Sequence, residues 1–283
     1  MIEVMSGIIV VDKPKGYTSR DIVNIISHEL HEKKVGHTGT LDPLATGVLV
    51  VCLGKYTKLV DMLTSLNKEY IAEIKLGVET DTLDITGNIL REEDVQVTKE
   101  QILKVFSKFI GEYQMEVPLY SAIKVNGKKL YEYARSGEEV KLPIKKVHIY
   151  ELELLSFHQD VITFRCKVEK GTYIRSLIRD ITKYLGVVGT MNNLVRIKQG
   201  NFRIEEANSL EDIQNHHYQI LKIKDVLTIE NYSLNEVEYK KVSNGNSLSL
   251  NRKEEELLLT YQDREIAIYE KKDDLYKPKV MLI

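Results

Sequence analysis

Apolar and polar residues alternate over five stretches of the chain, near Gly7 to Val11, Thr46 to Leu53, Tyr70 to Leu76, Val147 to Ser156 and Val161 to Val168. A period of two predicts strands there. Three other stretches carry apolar residues at helical spacing. Thr18 or Ser19 can cap a helix in which Ile22, Ile25, Ile26 and Leu30 share one face, and Thr98 with Gln101 forms a capping-box pattern ahead of Ile102, Val105, Phe106 and Phe109. The third follows Gly171, with Ile174, Leu177, Ile178, Ile181 and Leu185 in helical register and Gly186 suited to end it. Strands outnumber helices and do not alternate with them regularly. This predicts an α+β fold with a mixed, largely antiparallel sheet core.

The pattern changes near residue 230. Beyond it come short strand-like pieces, Leu257 to Tyr261 and Glu265 to Tyr269, separated by polar turns at Asn244-Gly245-Asn246 and Lys271 to Asp274. The expected organisation is a main domain over residues 1–230 and a small all-β C-terminal domain over 231–283. No internal repeat is visible.

A chain of 283 residues has room for both. Hydrophobic residues make up 43% and charged residues 29%, and no uncharged apolar run approaches the ~20 residues that cross a bilayer, so no membrane association is expected. Glu3 precedes the first apolar run and Asp12 and Lys13 follow it, unlike a signal peptide. The two cysteines, Cys52 and Cys166, offer neither a disulfide framework nor a CxxC metal pair, which suits a reducing cytoplasm. Net charge is −2, but residues 1–204 are net +3 and residues 205–283 net −5, and the stretch 120–148 holds seven basic residues against three acidic ones. A local basic patch is what phosphate contacts require, although such a run is by itself more often a solvated surface.

The chemistry concentrates in Gly36-His37-Thr38-Gly39-Thr40-Leu41-Asp42-Pro43-Leu44-Ala45-Thr46-Gly47, where three glycines and a proline surround one acidic residue. Glycine permits close backbone approach and proline removes a torsional freedom, so this segment reads as a stiff loop presenting Asp42. Asp-Pro alone is a common turn. Two other chemistries are excluded. Gly47 and Gly54 are too far apart for a phosphate-binding P-loop, and Tyr56 stands where Ser or Thr would bind magnesium. His216-His217 sits in a polar segment without partners at metal-ligand spacing.

The loop resembles the catalytic signature of TruB-type pseudouridine synthases, and it has company. Asp12-Lys13-Pro14-Lys15-Gly16-Tyr17-Thr18-Ser19 is similar to the family's first motif, Lys68-Glu69-Tyr70 to its active-site tyrosine strand, and Gly171-Thr172-Tyr173-Ile174-Arg175-Ser176-Leu177-Ile178 to its arginine motif. Pro118 to Tyr131 resembles the RNA-gripping insertion, spanning about residues 118–146. Leu194-Val195-Arg196 followed by Gly200-Asn201-Phe202 resembles the last core signature. Matches in this order run from residue 7 to 204.

The resemblance implies the pseudouridine synthase fold and conversion of uridine to pseudouridine at position 55 in the T loop of tRNA, with no cofactor and no metal. It implies Asp42 as catalytic carboxylate, acting as nucleophile or base, Arg175 as its cation and Tyr70 as the ring that stacks on a flipped base. Tyr173 would lie beneath that base, His37 would fill the gap left in the RNA loop, and Asp84 would hold Arg175 or the base edge. Lys13, Lys124, Lys128 and Lys129, the last three interleaved with Tyr120, Tyr131 and Tyr133, would face RNA. The expected partner is the tRNA T-stem loop, with the protein a monomer needing no other protein. Two alternatives stay open: a noncatalytic tRNA-binding chaperone, and the guide-RNA-dependent relatives of archaea and eukaryotes. The family's C-terminal piece would be a reduced PUA-like domain, although residues after 230 carry no match to that pattern.

Overall fold

The computed structural model describes residues 6–283, so Glu3 lies outside the described residues. Its main sheet has nine strands. In chain order the elements that build it are β1 (Gly7–Lys13), α1 (Ser19–Glu29), β2 (Val35–His37), β3 (Thr46–Leu53), β4 (Lys68–Leu76), α2 (Lys99–Phe109), β5 (Gly111–Glu116), β6 (Ile144–His158), β7 (Val161–Val168), α3 (Ile174–Leu185) and β8 (Gly189–Gln199). The spatial order is β1-β3-β8-β4-β7-β6-β5, with β2 on β3 and the short strand Phe202–Arg203 on β8. Neighbours are antiparallel except β8 against β3, whose parallel seam pairs Val195 with Thr46 and Arg196 with Gly47. The sheet is thus mixed and largely antiparallel, as expected.

Both capping boxes form. Thr18 accepts from the Asp21 amide and Thr98 from the Gln101 amide, while Asp21 and Gln101 reach back to the cap backbone. Each cap satisfies amides that the first helical turn leaves without partners. In α1 the buried face is Ile22, Val23, Ile26 and Leu30, with Ile25 only half-buried. The alternation along β1 and β3 then sorts their side chains. Ile9, Val11, Leu49 and Val51 pack on α1, whereas Ile8, Val10, Val48 and Val50 face the opposite way. Farther along the sheet, α2 and α3 cover Ile74, Ile149 and Phe164 with Ile102, Phe106, Leu177 and Ile178.

The opposite face of β1 and β3 is covered by the last part of the chain. There β9 (Glu230–Ser233), β10 (Glu256–Tyr261), β11 (Arg264–Lys272) and β12 (Leu275–Met281) form a four-stranded sheet in that order, with α4 (Glu236–Ser243) between β9 and β10. Leu258 and Ile268 join the cluster of Ile8, Val10, Val48 and Val50. Tyr56 donates a hydrogen bond to Glu265, and Lys58 Nζ donates to the Ile283 carbonyl at 3.0 Å. No helix of the described residues is long and apolar enough to cross a membrane.

Candidate active site

The Asp42 loop leaves β2 and enters β3, and four separate parts of the fold fasten it. At its start Thr38 is buried, its amide donating to the Val50 carbonyl and its hydroxyl accepting from Gln199 Nε2 at 2.6 Å. The Gly39 carbonyl accepts from Arg196 Nη2 at 3.1 Å. The Leu41 amide donates to Ser19 Oγ at 2.8 Å while that hydroxyl donates back to the Leu41 carbonyl, which ties the loop to the first turn of α1. The Pro43 carbonyl accepts from the Gly16 amide, so the segment after β1 holds the far side. Gly47 has φ +97°, and a methyl there would lie 2.3 Å from the Arg196 carbonyl oxygen. Only glycine lets β3 start this close to β8.

Asp42 meets the first turn of α3. Arg175 Nε lies 2.9 Å from Asp42 Oδ2 and Nη2 lies 3.3 Å from Oδ1, a side-on pairing of planar groups. The rest of the guanidinium is spoken for: Nη1 donates to the Thr82 carbonyl and Nη2 to the Tyr120 carbonyl, both at 3.0 Å. The arginine side chain is 6% exposed and the aspartate side chain 36% exposed. A rigid, buried cation therefore presents a carboxylate whose outer edge is open.

Tyr70 lies on β4 opposite Cys166 on one side and Arg196 on the other. It is buried against Leu41 and Leu44, and burial raises its phenol above the usual range while the Arg196 charge opposes that rise. Tyr173 caps α3 and is half-buried; burial likewise raises its phenol, with the Arg175 charge opposing and the Asp42 charge adding. Asp42 also acts electrostatically on Tyr70 and Lys13. These residues, far apart in sequence, share one site.

His37 is half-buried at the end of β2, and its Nδ1 accepts from the Gly39 amide at 3.3 Å. Burial, with Arg20 and Arg196 nearby, lowers its pKa, so the ring is neutral at pH 7 and carries its proton on Nε2. Asp84 does not take the Arg175 role that the motif left open. Its Oδ1 accepts from Thr82 Oγ1, the Thr86 amide and Thr86 Oγ1, closing a turn whose Thr82 carbonyl is what Arg175 grips.

Lys13 also differs from expectation. The resemblance implies that it faces RNA, whereas it is fully buried and its Nζ donates to the carbonyls of Pro14 and Tyr17, so it braces the segment that holds Pro43. Desolvation pushes its pKa down to about 8 against the attraction of Asp42. Lys68 is buried too, donating to the Thr64 and Leu66 carbonyls, and is pushed down to about 8 by desolvation.

The basic insertion folds into a small unit in which Lys124–Val125 pairs with Lys128–Lys129 and the helix Leu130–Ser136 follows, over a core of Val117, Leu130 and Tyr133. Lys124 is exposed. Lys128 is held by Glu138 at 2.7 Å and lies over the Tyr133 ring, while Lys129 and Arg135 lie against the Tyr131 ring. Tyr120, at the base of this unit, supplies a carbonyl to Arg175, so the arm and the Asp42–Arg175 pair are linked through the backbone.

Residues 27–174 match the family model described as TruB family pseudouridylate synthase (N terminal domain). The chain is similar to tRNA pseudouridine synthase B of Clostridium tetani, at 41% identity covering 99% of this chain and 100% of that protein. It is also similar to the protein of that name from Caldanaerobacter subterraneus, at 45% identity over 85% of each. Among solved structures, a chain of the Cbf5-Nop10-Gar1 complex superposes with a TM-score of 0.73 and 25% identity, covering 98% of this chain and 85% of that one.

Proposed function

The chain belongs to the TruB family of pseudouridylate synthases, and from that premise we propose that it acts on the uridine at position 55 in the T loop of tRNA, with Asp42 as catalytic carboxylate. It isomerises uridine in tRNA to pseudouridine. The reaction breaks the bond from N1 of uracil to C1′ of ribose, turns the base, and joins C5 to C1′. The hydrogen on C5 leaves as a proton and N1 gains one, with no change of oxidation state.

The observation that carries the reading is the Asp42–Arg175 pair. Side-on contact at 2.9 Å engages one edge of the carboxylate, and the other edge remains open to a reactant. Because both the loop and the guanidinium are fixed before substrate arrives, the charge needs no reorganisation during reaction. A uridine within a folded loop reaches Asp42 only by leaving its stack, and Tyr70 and Tyr173 supply aromatic surface for it. His37, with a neutral ring beside Gly39, and the arm's Lys124, Lys128 and Lys129 form the RNA-facing rim, where cations and rings alternate. Asp84 acts one step back, by shaping the Thr82 turn.

The division into residues 1–230 and 231–283 belongs to the same proposal and is supported by the change from one sheet to the other. So does action as a cytoplasmic monomer without a protein partner.

Unmodified tRNA carrying tritium at C5 of uridine tests the reading. Wild-type protein should release tritium to water without ATP, and pseudouridine should map to position 55. Asp42→Asn should release none while holding tRNA within about threefold of wild type, since only a transition-state interaction is lost. Undiminished release by that variant removes Asp42 from the mechanism. Binding without release by the wild type would instead identify a noncatalytic tRNA chaperone.

A further inference from the structure

Arg196 is the largest of the fully buried side chains, at 1% exposure, and nothing in the reaction uses it directly. Its partners are carbonyls and not carboxylates. Nε donates to the Val48 carbonyl at 2.6 Å and Nη2 to the Gly39 carbonyl at 3.1 Å. These two carbonyls bracket Asp42 in sequence, one before it and one after. On the backbone, Arg196 pairs with Gly47 on one side and Tyr70 on the other, and its charge acts on the Tyr70 hydroxyl. A methyl placed on Gly39 would lie 3.4 Å from Arg196 Nη1, so the loop rests directly on the guanidinium.

A buried cation without a carboxylate is held by the dipoles it gathers, and a rigid planar fork fixes the separation of the two carbonyls it grips, which a freely rotating ammonium does not. We propose that Arg196 is a positioning residue for the reaction: its guanidinium spans the two ends of the Asp42 loop, fixes their separation, and so sets Asp42 against Tyr70 without ever meeting the RNA. The inference rests on Asp42 and Tyr70 being the catalytic pair. It gives the last core strand a task in the chemistry, and it explains why the parallel seam falls at Gly47.

The test uses the full-length protein in single-turnover tritium release at saturating enzyme, with tRNA affinity measured separately, for Arg196→Lys, Tyr70→Phe and the double variant. Arg196→Lys keeps the charge and loses the fork. Its maximal rate should fall about 100-fold, the scale expected of a displacement near 1 Å, with tRNA Kd within about threefold and an unchanged circular dichroism spectrum. The double variant should lose less than the product of the single losses, because both changes act through one wall of the site. A rate near wild type, a Kd that weakens in step with the rate, or strictly multiplicative losses would each overturn the proposal.

A measurement on the unmutated protein covers the case in which Arg196→Lys does not fold. The Arg196 Nε proton, followed by nuclear magnetic resonance, should be protected from exchange and should keep its chemical shift when T-stem-loop RNA is added. A shift that follows RNA phosphate would make Arg196 an RNA contact and end the proposal. Absence of turnover by the wild type counts against the proposed function, whereas loss-free turnover by Arg196→Lys counts against the positioning role alone.

Discussion

Replacing Arg175 by methionine removes one cation from three partners at once: Asp42 at 2.9 Å and the carbonyls of Thr82 and Tyr120 at 3.0 Å each. A charge pair 4 Å apart in an effective dielectric near 20 is worth roughly 4 kcal/mol before desolvation. Asp42 is more than a third exposed, so screening leaves about 1–2 kcal/mol of that for stability. Each carbonyl loses a charge-assisted bond worth about 1.5–3 kcal/mol, offset in part because the arginine's own desolvation cost disappears. The expected net loss is about 2–4 kcal/mol, or a fall in melting midpoint of roughly 5–15 °C. The rate should suffer more selectively. A carboxylate freed from its side-on partner loses both orientation and countercharge, and a loss of about 4 kcal/mol in the transition state is roughly a thousandfold. Arg175→Lys should restore part of the stability, because a cation returns. It should still leave the rate about 10- to 100-fold below wild type, because one nitrogen cannot span an aspartate and two carbonyls. Single-turnover tritium release, run well below each variant's melting midpoint, separates the two effects. A methionine variant keeping a tenth of the wild-type rate, or a lysine variant equal to wild type, would refute the reasoning.

Two further outcomes follow from the charges. Removing Lys124 or Lys129 should reduce the slope of log affinity for tRNA against log salt by about 0.7–0.9 each, and removing Lys128 by less, because Glu138 already neutralises it; equal slopes for all three would contradict this. Lys13 and Lys68 release their protons near pH 8 in the folded protein and near 10.5 when unfolded, so stability is lowest below pH 8 and rises with pH through that window. Burial raises Cys52 and Cys166 to about 12, so from about pH 9 the unfolded chain sheds thiol protons first and cancels the gain. Urea midpoints should therefore climb between pH 8 and 9 and then level off, with a smaller climb in Lys68→Met; a wild-type midpoint that falls over that interval excludes the account.

Much of the architecture was legible because it rests on local rules. Both capping boxes, the Gly186 stop, the continuous apolar runs of β1 and β3 and the alternation of β7 are determined by neighbours in sequence. Strand β8 was not legible as a strand. Its bulges at Met191/Asn193 and Arg196/Lys198 break the period of two, and its buried positions include an arginine and a glutamine. Helix α4 escaped notice because only Val242 of its eight residues is buried, which leaves no apolar stripe. In the site, the Asp42 loop and its arginine could be found by motif. The carbonyl partners of Arg175 and Arg196 could not, since backbone groups carry no sequence signal. Lys13 misled for a related reason: a lysine in a motif near RNA reads as a phosphate contact, and its burial depends on the Pro14 and Tyr17 carbonyls turning inward.

The parallel seam between β3 and β8 has a consequence for the order of events during synthesis. The two arginines that grip the Asp42 loop are distant in sequence, 133 positions away at Arg175 and 157 at the Arg196 contact with Gly39. A ribosome-bound chain that has emerged through α2 owns the Asp42 loop and its near fasteners at Ser19, Gly16 and Val50, but neither of the arginines that grip it. Closure of such long segments comes late in folding, because the entropy of joining distant residues is met before their contacts form. A nascent or truncated chain ending before β8 thus holds the Asp42 loop without its Arg196 and Gln199 contacts, and the site is complete only when nearly the whole sheet has closed.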